Sequence, residues 1–215
     1  MNDESQSSAF QPIVDLFERR TGMELRPERR RSAQRLLKRI MRTHGCDTVD
    51  EYHALARDDR RVFEQIVDAL VVGETYFFRE DEKFEFLRRE VFADWKSSPQ
   101  QYFKAWCAGC STGEEAYTLA VVLQREGLLE RTSILATDVS TEALQTAREG
   151  SYGTWSLRGV ARKEMADYIR SDGEGVDIPA ALSGQIEFRY HNLLDDRWNE
   201  KSRISTNFDI IFCRN

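Results

Sequence analysis

The spacing of apolar residues changes near residue 100, and this change divides the chain into two kinds of structure. Up to about residue 70 the spacing is helical. Ile13, Val14, Leu16 and Phe17 mark one helix over 10–20, ended at Thr21-Gly22. Pro27 suits the first turn of a second helix that runs to about His44 and stops at Gly45. Its residues Ala33, Leu36, Leu37, Ile40 and Met41 form one apolar stripe. Thr48 and Glu51 have the spacing of a capping box for a third helix. A fourth spans about 60–72, and a further amphipathic helix is expected over 81–95. Beyond the Ser97-Ser98-Pro99 loop, strands are expected at 102–108, 133–139, 185–191 and 208–213, with helices at 112–125 and 141–149. Strand–helix alternation implies a parallel sheet with right-handed crossovers. The domains expected are a helical one at 1–73, a linking segment and helix at 74–99, and an α/β domain at 100–215. Residues 151–184 carry glycines and acids without a clear period.

Several function classes are excluded. With 40% hydrophobic and 32% charged residues in 215, the chain reads as a soluble globular protein. No apolar run approaches the ~20 residues of a membrane span, and 1–8 lacks the layout of a secretory signal. A cytoplasmic location is expected. Cys46, Cys107, Cys110 and Cys213 are too few and too irregular for a disulfide framework. Cys107 and Cys110 form a C-x-x-C without a second pair or a histidine cluster, so two small thiols at the end of a buried strand is the preferred reading over a zinc or redox site. No metal is expected. The net charge is −6, yet 19–42 holds ten Arg or Lys against two acids. A local basic surface on an acidic protein suits a specific acidic partner better than nucleic acid.

Two segments carry candidate chemistry. The first expected strand runs into Ala108-Gly109-Cys110-Ser111-Thr112-Gly113-Glu114-Glu115 and then a helix. Glycines there let backbone approach a ligand, and a helix start offers unpaired N–H groups. The pattern is not G-x-G-x-x-G, and two acids would repel a phosphate. Glu114 and Glu115 serve either the helix dipole or a cofactor with positive charge and no phosphate, such as S-adenosylmethionine. The second strand ends in Ala136-Thr137-Asp138. Asp138 either caps the next helix, a role open also to Ser140, or holds a ribose. The glycine loop about 25 residues upstream favours the ribose, near the spacing of roughly 20 in dinucleotide-binding units.

Taken in order, Thr75-Tyr76-Phe77-Phe78-Arg79-Glu80, the 108–117 segment, Ala136-Thr137-Asp138, Phe188 through Asn192-Leu193, and Phe212-Cys213-Arg214-Asn215 resemble the CheR-type chemotaxis receptor methyltransferases. The likeness covers nearly the whole chain. It implies a small all-helical N-terminal domain followed by a Rossmann-like class I methyltransferase domain of α/β class. It implies S-adenosylmethionine as cofactor and S-adenosylhomocysteine as product. It also implies transfer of a methyl group to glutamate side chains in the acidic methylation region of a chemoreceptor or related signalling protein. By the same likeness Thr75 and Arg79 contact the cofactor, with Gly109 in the loop, and Arg79 reaches the substrate or methionine carboxylate. Glu115 lies near the methionine amino group, Asp138 holds the ribose, Asn192 and Leu193 border the adenine, and Arg214 and Asn215 close the site near the methyl group. Arg79 and Asn215 are the catalytic candidates. Arg30, Arg31, Arg35, Lys38, Arg39 and Arg42 form the docking face, with a solvated charged helix as the alternative. For Tyr76, Phe77 and Phe78 the alternative is core packing, expected of at least one.

Two departures accompany the likeness. Family members continue past the "CRN" string, so a truncated product or fragment is expected, with the domain incomplete after its fourth strand. An interaction module with impaired catalysis is the competing function. The family's β-subdomain, expected within 151–185, finds only short strand-like runs here, which argues against binding of a receptor tail. A small-molecule or nucleic-acid methyltransferase is disfavoured by the helical domain and by the lack of a basic groove rich in aromatics. The chain is expected to be monomeric, without membrane insertion.

Overall fold

A computed structural model describes residues 9–71, 73–98, 101–168, 170, 172–195 and 207–214. Contacts group the chain into two units. One is Met1–Val72 with Val139–Thr141 and Asn192–Asp196; the other is Gly73–Asp138, Glu142–His191 and Arg197–Asn215.

The first unit is helical: α1 (Gln11–Thr21), α2 (Arg30–Thr43), α3 (Val49–Asp58) and α4 (Arg60–Leu70). Helix α1 has proline in its first turn and ends at Gly22, whose φ of 73° is a left-handed cap. Pro27 starts a 3-10 turn, Pro27–Arg29, ahead of α2 instead of the α-helix itself. The capping box before α3 is formed in both directions: Glu51 N–H donates to Thr48 Oγ1 at 3.2 Å, and Thr48 N–H to Glu51 Oε2 at 3.1 Å. Such a cap contributes about 1 kcal/mol. Ile13, Phe17, Leu37, Tyr52, Ile66 and Leu70 fill the core. In α2 the buried face is Ala33, Leu37 and Met41, with Ile40 partly buried against it.

The second unit begins at Gly73, and its 74–98 segment packs as part of its core. Phe77 and Phe78 are buried there with Phe84, Phe92 and Trp95, so the core-packing alternative describes two of the three aromatics Tyr76, Phe77 and Phe78. The helix expected over 81–95 is three pieces: α5 (Asp81–Phe86), a π-helical turn at Leu87–Val91, and α6 (Phe92–Ser97). In an unbroken α-helix Phe84 and Phe92 would point about 80° apart. The extra residue of a π turn brings both inward.

Strands β1 (Phe103–Ala108) and β2 (Thr132–Asp138) flank α7 (Glu114–Arg125), and α8 (Thr141–Glu149) follows β2. After them come β3 (Ser151–Gly153), α9 (Ala161–Glu164), β4 (Gly175–Asp177), α10 (Ala180–Ser183), β5 (Ile186–Tyr190) and β6 (Ile210–Cys213). The main sheet runs β5-β2-β1-β6, all parallel. It is Rossmann-like: three crossovers put its strands in the order third, second, first, fourth. The stretch 151–184, without a clear period in the sequence, holds a two-stranded antiparallel pair, β3 with β4. These are elements of three or four residues, too short for a period to show.

Candidate functional site

Register places the ends of the parallel strands together. Ala108 on β1 pairs with Thr137 on β2 and with Cys213 on β6, and Asp138 pairs with Tyr190 on β5. The segments leaving β1, β2 and β6 therefore share one carboxyl edge, where open α/β sheets bind ligands.

The loop after β1 folds back on this edge. Gly109 and Cys110 N–H both donate to the Thr137 carbonyl, at 2.8 and 2.9 Å. Asp138 Oδ2 accepts the Ser111 N–H at 2.8 Å. Ser111 is held at a φ of 50°, Phe78 at 54° and Glu80 at 56°. Among the described residues these are the only non-glycines with positive φ, and all three fall in the two motif segments. Backbone strain of about 1–3 kcal/mol apiece persists only where neighbours over-determine it. Here the Phe78 N–H is fixed by Thr118 Oγ1 at 3.1 Å and the Phe77 N–H by the Ser156 carbonyl at 3.1 Å.

Arg214, next after β6, ties the edge to Arg79 and Glu80. Its Nε donates to Glu115 Oε2 at 2.5 Å, and its Nη1 donates to the Arg79 carbonyl at 3.1 Å and Glu80 Oε2 at 3.3 Å. Burial pushes the Glu115 carboxyl up, and the charges of Arg214 and Arg79 work against that rise. Arg79 itself donates to the Glu74 carbonyl at 2.8 Å, and Thr75 lies between Glu74 and Tyr76 on the same segment. Gly109, Glu115, Asp138, Thr75, Arg79 and Arg214 thus all belong to the second unit. Asn192 and Leu193 group with the helical unit: Asn192 Nδ2 donates to the Arg20 carbonyl at 2.5 Å and its Oδ1 accepts the Leu194 N–H at 3.0 Å. Asn215 lies outside the described residues.

Glu114 faces inward, 2% exposed, and accepts from Thr112 Oγ1 at 2.6 Å and Ser156 Oγ at 2.8 Å. Burial pushes its carboxyl up, opposed by those hydrogen bonds and by Arg158. Between the ordinary carboxylate value and this raised one, the folded chain keeps a proton that the unfolded chain has released. Stability therefore falls as pH rises through that window. Glu114→Gln is expected to flatten this fall. Urea melts of both proteins from about pH 4 to about pH 7 should agree most closely at the acid end and separate toward neutral pH as the wild type alone loses stability, and curves that stay parallel would contradict the assignment. Cys107 and Cys110 are buried thiols, and burial pushes both well up, so they pack as neutral groups.

On the helical unit, Arg31, Arg35, Lys38, Arg39 and Arg42 are exposed and Arg30 is half-buried. Arg35, Lys38, Arg39 and Arg42, with Thr43, line a shallow concavity of about 420 Å³. Among the described residues these four cations have no ion pair. Sequence reasoning took Ser111 only as part of the loop and did not single out Ser156 or Arg158, which act on Glu114. A serine followed by Thr-Gly, and an aromatic–basic Trp-Ser-Leu-Arg string, were the available signals.

A parallel sheet with a glycine loop after its first strand and an acid ending its second defines a nucleotide-binding unit of the Rossmann-like class. The family described as "CheR methyltransferase, SAM binding domain" matches residues 73–215, and "CheR methyltransferase, all-alpha domain" matches 8–71. Curated relatives include the "Putative methyltransferase Cher3" of Pseudomonas putida, 30% identical over 86% of this chain and 67% of the relative. A "Chemotaxis protein methyltransferase" of Salmonella typhimurium is 31% identical and one of Klebsiella aerogenes 32%, each over 96% of this chain and 71% of the relative. The chain belongs to the CheR methyltransferase family, and its cofactor is S-adenosylmethionine.

The residues present fit that cofactor. Ser111 Oγ is buried without a hydrogen-bond partner, a cost of about 1–3 kcal/mol that a ligand's polar group would relieve. A Cβ at Gly109 would meet nothing within 4 Å, so backbone there is approachable. Asp138 ends β2 and Glu115 lies in the first turn of α7, carboxyl groups of the kind a cationic nucleoside can pair with.

Proposed function

We propose that this chain methylates glutamate side-chain carboxylates in the acidic methylation region of a chemoreceptor or related signalling protein, acting as a cytoplasmic monomer. The observation that carries this reading is the set of four exposed cations on α2 without ion pairs among the described residues, a surface suited to an acidic acceptor. The names of the curated relatives, chemotaxis protein methyltransferases, support it. No helix of the described residues is long and apolar enough to cross a membrane.

S-adenosylmethionine supplies a methyl group on a sulfonium, which an ionised carboxylate can accept without a general base. The protein's task is then alignment and charge placement. Asp138 holds the ribose hydroxyls and Glu115 the methionine amino group. Thr75 and Gly109 line the cofactor, Asn192 and Leu193 the adenine. Arg79 orients a carboxylate from the 74–80 segment, while Arg214 and Asn215 close the side near the methyl group. Arg214 also works against the rise that burial gives the Glu115 carboxyl.

The test uses the 215-residue chain, methyl-labelled cofactor and a purified chemoreceptor cytoplasmic fragment. Label should enter the fragment, leave as methanol in mild base, and enter more slowly as salt screens the docking charges. Label retained through base would mark N-methylation and overturn the glutamate reading.

A further inference from the structure

Strand β3 leads into a 3-10 turn, Thr154–Leu157, followed by Arg158. This turn is fastened to the 74–77 segment and to α7 at several points. The Ser156 carbonyl accepts the Phe77 N–H, and its hydroxyl donates to Glu114, as given above. The Arg158 guanidinium lies 4.0 Å from the Tyr76 ring centroid and 4.3 Å from that of Trp155. It also donates to the Trp155 carbonyl at 3.0 Å and to Glu74 Oε1 at 3.2 Å.

The result is a sandwich with one side open. The Arg158 side chain is 24% exposed, whereas Trp155 is 70% exposed. A lone exposed aromatic is ordinary on a soluble surface. This one is pinned by a cation that is itself fixed by a second ring and a carboxylate, so its plane is set before anything docks. Large, rigid aromatic faces beside arginine are the groups that carry binding energy at protein interfaces, because little side-chain freedom is lost on contact. The position also matters. Tyr76 and Glu74 belong to the segment that bears Arg79, and the Glu74 carbonyl is the group that Arg79 holds.

We propose that Trp155, held by the Tyr76–Arg158 stack, is an acceptor-positioning residue: its outer face receives the polypeptide flanking the methyl-accepting glutamate. The partner is an acidic segment with apolar side chains beside its glutamates. The apolar part packs on the indole, and the carboxylates lie within the field of Arg158 and Arg79. The proposal rests on the protein-glutamate reading above.

The test is steady-state transfer to the chemoreceptor fragment by the full chain and its W155A, W155F and R158K variants. Calorimetry with S-adenosylhomocysteine, and separately with the fragment, accompanies it. W155A should raise KM for the fragment about tenfold and weaken fragment binding to match, with kcat within about twofold and cofactor affinity unchanged. W155F should lie between, and R158K, which keeps charge but loses the planar stack, should resemble W155A. Unchanged KM and fragment affinity in W155A would overturn the proposal. So would weakened S-adenosylhomocysteine binding, which would make the indole a cofactor wall. A wild-type chain that binds the fragment but transfers nothing sinks the glutamate reading alone, and Trp155 is then judged on fragment affinity. A wild-type chain that does not bind the fragment sinks both.

Discussion

Asp138→Ala is expected to weaken S-adenosylhomocysteine binding about thirtyfold, with the chain still folded. Two effects combine. The hydrogen bonds proposed between the carboxylate and the ribose hydroxyls would be lost, worth about 1.5–3 kcal/mol. The loop that carries Gly109 and Ser111 is also loosened, since the Ser111 N–H loses its 2.8 Å acceptor. Ser111 sits at a φ of 50°, a conformation that depends on such restraints. Folding should survive, because Gly109 and Cys110 remain held by the Thr137 carbonyl and the sheet register does not involve the carboxylate. Calorimetry gives the affinity and a urea melt gives the stability. An unchanged affinity would remove Asp138 from the cofactor site. A chain that no longer melts cooperatively would make its role structural. Asp138→Asn separates the two effects further, since its carboxamide oxygen can still accept the Ser111 N–H while the negative charge is gone.

What the sequence made legible follows from how local each feature is. The capping box at Thr48 and Glu51, the stop at Gly22 and the strand–helix alternation are set within a few residues, so spacing alone exposes them. The meeting of the glycine loop with Asp138 was readable too, because one strand–helix–strand unit of near-standard length forces it. The Glu115–Arg214 pair spans 99 residues and the Glu74–Arg158 contact spans 84. No local period encodes such pairings. The π turn at Leu87–Val91 escaped notice because the apolar spacing of 81–95 is compatible with a helix until one asks that Phe84 and Phe92 both point inward. Glu114 and Glu115 looked alike in the sequence as two acids in a first helical turn. They differ in the structure: Glu114 is held by two hydroxyls, Glu115 by a guanidinium. The helix dipole favours both, but it distinguishes neither.

The two loop glycines should fail in opposite ways when given a methyl group. Both have positive φ, 96° at Gly113 and 77° at Gly109, so alanine strains the backbone at either, by about 1–2 kcal/mol. At Gly113 a Cβ would also stand 2.8 Å from Ala147 Cβ and 3.2 Å from Ala147 Cα, with the Tyr152 hydroxyl at 3.1 Å. Backbone and a short side chain cannot swing away, and Tyr152 is held by its bond to the Thr112 carbonyl at 2.7 Å. Overpacking adds about 1–3 kcal/mol, so Gly113→Ala should cost about 3 kcal/mol in a urea melt. At Gly109 nothing lies within 4 Å of the added methyl, so the melt should show only the backbone strain. The methyl there would project into the space proposed for the cofactor, and S-adenosylhomocysteine affinity should fall instead. Equal stability losses in the two variants, with cofactor affinity intact in Gly109→Ala, would mean that the open side of Gly109 faces only solvent and that the cofactor approaches the sheet edge elsewhere.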